Sequence, residues 1–140
     1  MRIGADYYPE HWEKERWKTD AEMMVKANIK VIRIGEFAWS LYEPEEGKYE
    51  FDWMDEALDF FGKYGIKVVM CTPSATPPKW MIDKYPDILQ NDIHGNPKLF
   101  GTRKHYCFNS ETYREKTKKL NTLIAKRYAK HPAIEAWTVD

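Results

Sequence analysis

Arg33 and Glu36 stand at the two ends of Arg33-Ile34-Gly35-Glu36, at the close of a short β-branched run. A cation at the end of a buried strand is costly unless it meets an anion or a polar ligand. Arg33 therefore either faces a ligand or closes an ion pair inside the fold. Glu36 also has two roles open to it: a catalytic carboxylate, or an anchor for a neighbouring backbone or arginine. A second concentration of chemistry lies between Thr72 and Asn109, which holds Trp80, Tyr85, His94, Arg103, His105 and Tyr106. Loops of this length inside compact domains are usually functional. The mixture suits hydrogen bonding to, and stacking on, hydroxylated substrates. Taken one at a time, most of these residues read as part of an ordinary structured insertion whose aromatics pack on a rim.

Cys107, His105 and His94 can be drawn around a zinc ion, but no C-x2-C or H-E-x-x-H spacing occurs. A complete metal site is therefore not expected within the chain. Cys71 lies in an apolar run and reads as an inert core thiol. The sequence has no G-x-G-x-x-G or Walker pattern and no G-x-S-x-G elbow, so nucleotide binding and α/β serine-hydrolase chemistry lack support.

The 140 residues carry 22 Lys+Arg against 22 Asp+Glu, a formal net charge of zero. That balance argues against a nucleic-acid binder, whose cations concentrate on one face. No apolar run approaches the ~18 residues that cross a bilayer, and the opening MRIGADYYPE lacks a signal-peptide h-region. Two cysteines are too few for a disulfide scaffold, so a reducing cytoplasm is the expected location. With 43% hydrophobic residues the chain can build one core, and six Trp and nine Tyr suit sugar stacking as well as packing.

The elements that must position these groups follow from apolar periodicity. Short runs at Ile3–Asp6, Val31–Ile34, Ile66–Cys71 and Ile134–Val139 read as buried strands. Trp17, Ala21, Met24 and Val25 share one helical face, which Asn28 can end in the left-handed region. Met54, Ala57, Leu58 and Phe61 repeat the pattern, with Asp52 expected as N-cap and Gly65 as the stop. Leu120, Leu123, Ile124 and Tyr128 mark a third helix, capped by Ser110 or Asn109 and ended by His131-Pro132. A short extra helix is expected from Pro77-Pro78.

The order β-α-β-α-β-loop-α-β demands a parallel sheet with right-handed crossovers. Four such strands and their helices make half of a TIM (β/α)8 barrel, which needs roughly 250 residues. The expectation is an α/β half-barrel, residues 1–140 forming one part of a single domain. Because the sequence stops at Val139-Asp140, straight after the fourth strand, a truncated piece is expected. In parallel α/β folds the working groups sit at the carboxyl ends of strands. Here those ends are Asp6-Tyr7-Tyr8-Pro9, Arg33-Ile34-Gly35-Glu36, Cys71-Thr72-Pro73-Ser74 and Asp140.

Four motifs then carry a resemblance. They are Gly4-Ala5-Asp6-Tyr7-Tyr8-Pro9-Glu10-His11-Trp12, Arg33-Ile34-Gly35-Glu36-Phe37-Ala38-Trp39-Ser40 with Glu43-Pro44-Glu45-Glu46-Gly47, Thr72-Pro73-Ser74-Ala75-Thr76-Pro77-Pro78-Lys79-Trp80, and Arg103-Lys104-His105-Tyr106-Cys107. Together they resemble glycoside hydrolase family 42, in order and along essentially the whole chain. The resemblance implies a (β/α)8 barrel and retaining hydrolysis of terminal non-reducing β-D-galactosides by two glutamates. The acid/base would lie in an Asn-Glu pair just after Asp140 and the nucleophile on a later strand, so neither is expected in these residues. It further implies that Arg33 and Arg103 line the galactose subsite. Cys107 matches the first of four cysteines that hold zinc in many members, the other three following strand four, so this fragment is not expected to hold zinc tightly. No cofactor is required for the implied chemistry, and a homo-oligomer, a trimer in the full-length protein, is the implied assembly. Two further readings stand beside it: a non-catalytic half-barrel that binds sugar or is structural, and a barrel hydrolase of different sugar specificity.

Overall fold

Along the second and third strands, Ile32, Ile34, Val68 and Met70 are at most 1% exposed, while the residues between them, Val31, Arg33 and Val69, are half-buried. That alternation gives the sheet two faces, one under helices and one lined by a mixed polar and apolar row. The computed structural model describes residues 2–139. Asp140, where a strand end was expected, lies outside the described residues. Those residues fold as two compact units, one of 2–35, 51–72 and 127–139, the other of 36–50 and 73–126.

The first unit contains a four-stranded parallel sheet in the order β1-β2-β3-β4, with β1 Ile3–Asp6, β2 Ile29–Ile34, β3 Lys67–Cys71 and β4 Ile134–Thr138. Strand order matching chain order is the arrangement of the first four strands of a (β/α)8 barrel. Arg2, beside β1, pairs with Glu135 in β4. Helices α1 (Lys14–Lys26) and α3 (Asp52–Lys63) cover the outer face, burying Trp17, Ala21, Met24, Met54, Ala57, Leu58 and Phe61. Trp17 meets Phe60 and Phe61, and Tyr7 stands edge-on to Phe61 at 5.2 Å. Ile32 is completely buried, because even-numbered residues of β2 face the helices. Val31, Arg33 and Val69 form the inner row instead.

Several expected boundaries move. Strand β2 starts at Ile29, straight after Asn28 turns the chain at φ 59, so Lys30 belongs to the strand despite its charge. Asp52 is the first residue of α3 rather than its cap; Phe51 takes the N-cap position without a side-chain bond. The Asp52 and Asp55 carboxylates still favour the positive end of the helix. Gly65, at φ 71, ends that helix as expected. On α1, Val25 is 42% exposed and lies off the buried stripe.

The second unit contains α2 (Trp39–Tyr42), α4 (Lys79–Lys84) and most of α5 (Glu111–Tyr128). Pro78 stands at the N-cap of α4, so the Pro77-Pro78 signal marks the start of that helix from outside it. The Tyr113 amide donates to Ser110 Oγ at 3.2 Å at the start of α5. Trp39, Tyr42, Met81, Ile88, Tyr106, Leu120 and Ile124 are at most 1% exposed and form this unit's core.

Candidate functional site

In the first unit, Asp6, Arg33, Val69 and Ala136 pair in register across all four strands. Asp6 and Arg33 sit at the carboxyl-end side of their strands. Arg33 Nε donates to Asp6 Oδ1 at 2.8 Å and Nη2 to Oδ2 at 3.1 Å, a fork-on-fork pair. Hydrogen bonding from Arg33 holds the Asp6 carboxyl below its ordinary range. The Arg33 side chain nevertheless stays 32% exposed in an open groove of about 360 Å³, which Gly4, Asp6, Val31 and Val69 also line. The ion-pair reading is thus realised, and an accessible part of the guanidinium still faces the groove. Asp6 was the partner that strand-by-strand reading missed; its signal was its place, equivalent to that of Arg33, at the end of the neighbouring strand.

Gly35 at φ 87 makes the turn out of β2. A Cβ there would meet Met54 Cε at 3.4 Å and the Cys71 carbonyl at 3.5 Å, ordinary contact distances, so it is the positive φ that favours glycine.

In the second unit, Glu36 is 5% exposed and accepts from Arg103 Nη2. The guanidinium carbon of Arg103 lies 5.4 Å from the centre of the Phe37 ring. The Arg103 side chain is 56% exposed, so its donors are aimed by a carboxylate and a ring without being covered. The Glu36 geometry answers its open question. It anchors an arginine.

The other candidates in residues 72–109 fall mostly on the packing side. Tyr106 is 1% exposed and stacks on Tyr113 at 4.0 Å between ring centres. The Trp80 indole donates to the Glu43 carbonyl at 2.8 Å, and Tyr85 OH to Glu46 Oε1 at 2.9 Å. His105 is buried, its Nδ1 against the Thr102 carbonyl and its Nε2 without a hydrogen-bond partner. His94 is exposed in a turn built on Asp92, whose carboxylate accepts the amides of His94 and Asn96.

Cys107 is half-buried and Cys71 is buried. Among the described residues no three His, Cys, Asp or Glu side chains gather closely enough to hold a metal ion. By themselves the described residues do not supply a complete set of zinc ligands. No helix among them is long and apolar enough to cross a membrane.

Residues 6–140 match the glycoside hydrolase 42 family model, described as beta-galactosidase. A β-galactosidase of Thermus thermophilus is 51% identical over 138 residues, covering 99% of this chain and 21% of the relative. The β-galactosidase BgaH of Haloferax lucentense is 47% identical over all 140 residues, again 21% of the relative. The crystal structure of a cold-adapted β-galactosidase from Rahnella sp. R3 superposes with a TM-score of 0.97 at 44% identity, covering 100% of this chain and 21% of that one. The chain thus spans about a fifth of the length of the relatives it matches.

Proposed function

The chain belongs to glycoside hydrolase family 42, and from that premise we propose that it supplies galactose-binding groups to a retaining β-galactosidase. Residues 1–140 would form the N-terminal part of its (β/α)8 catalytic domain. The observation that carries this reading is the state of Arg103: exposed at 56%, yet oriented by Glu36 and Phe37. A guanidinium held this way offers a planar set of donors to sugar hydroxyls with little left to order on binding. Arg33, fixed by Asp6 at the end of β2, would offer a second set.

Retaining cleavage uses one carboxyl to protonate the leaving oxygen and another, ~5 Å away, to attack the anomeric carbon. The family resemblance puts both on chain beyond these residues, the acid/base directly after strand four. The role of this segment is then to bind and orient the sugar. Terminal β-D-galactosides are the proposed substrates, and the reducing cytoplasm the proposed setting. A homo-oligomer is the proposed assembly. Cys107 is proposed as one ligand of a four-cysteine zinc site whose other members lie outside these residues.

The test is kinetic, on the full-length enzyme that carries this segment. Arg33→Ala and Arg103→Ala should each raise KM for an aryl β-galactoside roughly tenfold to a hundredfold, the worth of a charge-assisted hydrogen bond. Galactose should inhibit each variant correspondingly less. Unchanged KM and galactose inhibition in both variants would overturn the proposed subsite.

A further inference from the structure

Glu43 is 1% exposed, and every polar group it owns is engaged. Oε2 accepts the Trp39 indole N–H at 3.0 Å, Oε1 accepts the Gly47 amide at 2.8 Å, and the Tyr49 hydroxyl hydrogen-bonds to the same carboxylate. Its own amide donates to the Trp39 carbonyl at 2.8 Å, and its carbonyl receives the Trp80 indole at 2.8 Å. Burying a carboxylate is expensive, and the neutral donors around Glu43 compensate it through geometry. An apolar side chain would fill the space at less cost. What the carboxylate adds is definition: it fixes both ends of the turn from Trp39 to Tyr49, while the Glu43 main-chain carbonyl ties that turn to α4.

The turn begins two residues after Phe37. Glu36 and Phe37 are the two groups that aim Arg103, one through its carboxylate and the other through its ring. Residues 36–50 have little regular structure of their own, since α2 is a single turn of four residues. A helix that short cannot hold itself in place. The buried carboxylate is what anchors it.

We infer that Glu43 is a positioning residue, which sets galactoside affinity by holding Glu36 and Phe37 against Arg103. It touches no substrate. The inference rests on the proposed function of Arg103.

Glu43→Gln keeps the volume but turns an amide NH2 toward one of the donors, breaking that contact while the turn stays filled. In the full-length enzyme, KM and kcat for an aryl β-galactoside would be measured for wild type, Glu43→Gln, Arg103→Ala and the double variant. Glu43→Gln should raise KM about tenfold with kcat within about twofold, because the defect is in binding. In the Arg103→Ala background the same change should cost nothing further, the non-additivity expected of groups acting as one unit. Tyr49→Phe removes one donor from a half-buried position. It should move KM the same way by less, so the case does not depend on how well the Gln variant folds. Equal KM factors for Glu43→Gln with and without Arg103 would make Glu43 a general stabiliser and overturn the inference. So would a wild-type KM in Glu43→Gln and Tyr49→Phe while Arg103→Ala is impaired. If Arg103→Ala itself leaves KM unchanged, the sugar-binding reading of Arg103 falls, and this inference with it.

Discussion

Glu10 shows at the residue scale how an unpartnered group acts on stability. It sits in the 3-10 turn after β1, and both carboxylate oxygens are buried without a hydrogen-bond partner. Burial raises its pKa above the ordinary value of 4.5, with its own backbone and His11 opposing the shift. For an acid whose folded pKa is raised, the folded state binds the extra proton. Stability from this group is then present below about 4.5 and is lost as pH rises through the folded pKa. Glu10→Gln should therefore make the chain more stable at pH 7, with the difference vanishing below about pH 4.5. Urea unfolding of both forms at pH 7 and pH 4 measures this; equal midpoints at pH 7 would show that the carboxylate is solvated or paired. Asp6 and Arg33 present the opposite case, a carboxylate and a guanidinium that satisfy each other. The cost of Arg33 near a strand end was legible from sequence. Its partner was not, because register between strands is a tertiary property.

At the scale of elements, periodicity revealed what repeats and missed what is held by individual side-chain bonds. The stripes Trp17-Ala21-Met24 and Met54-Ala57-Leu58-Phe61 appear in the structure as buried helix faces. Helix α2 gave no such signal, because its four residues owe their shape to Glu43 and the Trp39 indole. The fates of Trp80, Tyr85 and Tyr106 were equally hidden: each aromatic suits sugar or core, and only the fold decides. Glu46 extends the same lesson. It accepts from Lys116 in α5, Lys84 in α4 and Tyr85, and these bonds draw its pKa down to about 2 from the ordinary 4.5. A depressed carboxyl contributes stability that is present above about 4.5 and lost as pH falls toward 2. Acid unfolding should thus steepen in that window for wild type and flatten for Glu46→Gln. Circular dichroism between pH 5 and 2 reads the difference, and identical acid transitions would show that the three bonds do not stabilise the fold.

For the whole molecule the governing fact is that β1 and β4 each have a strand neighbour on one side only among the described residues. A barrel has no edges; a four-stranded arc has two, each a row of unpaired amides and carbonyls. The inner row Val31, Arg33 and Val69 faces an open groove, and Ile3 at the β1 edge is 48% exposed. The Arg2–Glu135 ion pair joins side chains and does not pair the two edge backbones. The isolated 140-residue chain should therefore self-associate, and sedimentation velocity that returns one monodisperse monomer would contradict this. On the proposed function both cleaving glutamates lie on chain beyond these residues. A general acid contributes roughly a hundredfold to ten-thousandfold, and without a nucleophile the covalent route is closed altogether. On that reading, association of copies would pair edges without supplying either glutamate, and Asp6, Glu36 and Glu43 are engaged in holding Arg33, Arg103 and the turn. Purified 140-residue chain, monomeric or associated, should accordingly leave an aryl β-galactoside uncleaved while the full-length enzyme turns it over. Turnover that co-elutes with the short chain and disappears in Glu36→Gln would place a catalytic carboxylate within these strands and reverse the division of labour between binding and cleavage.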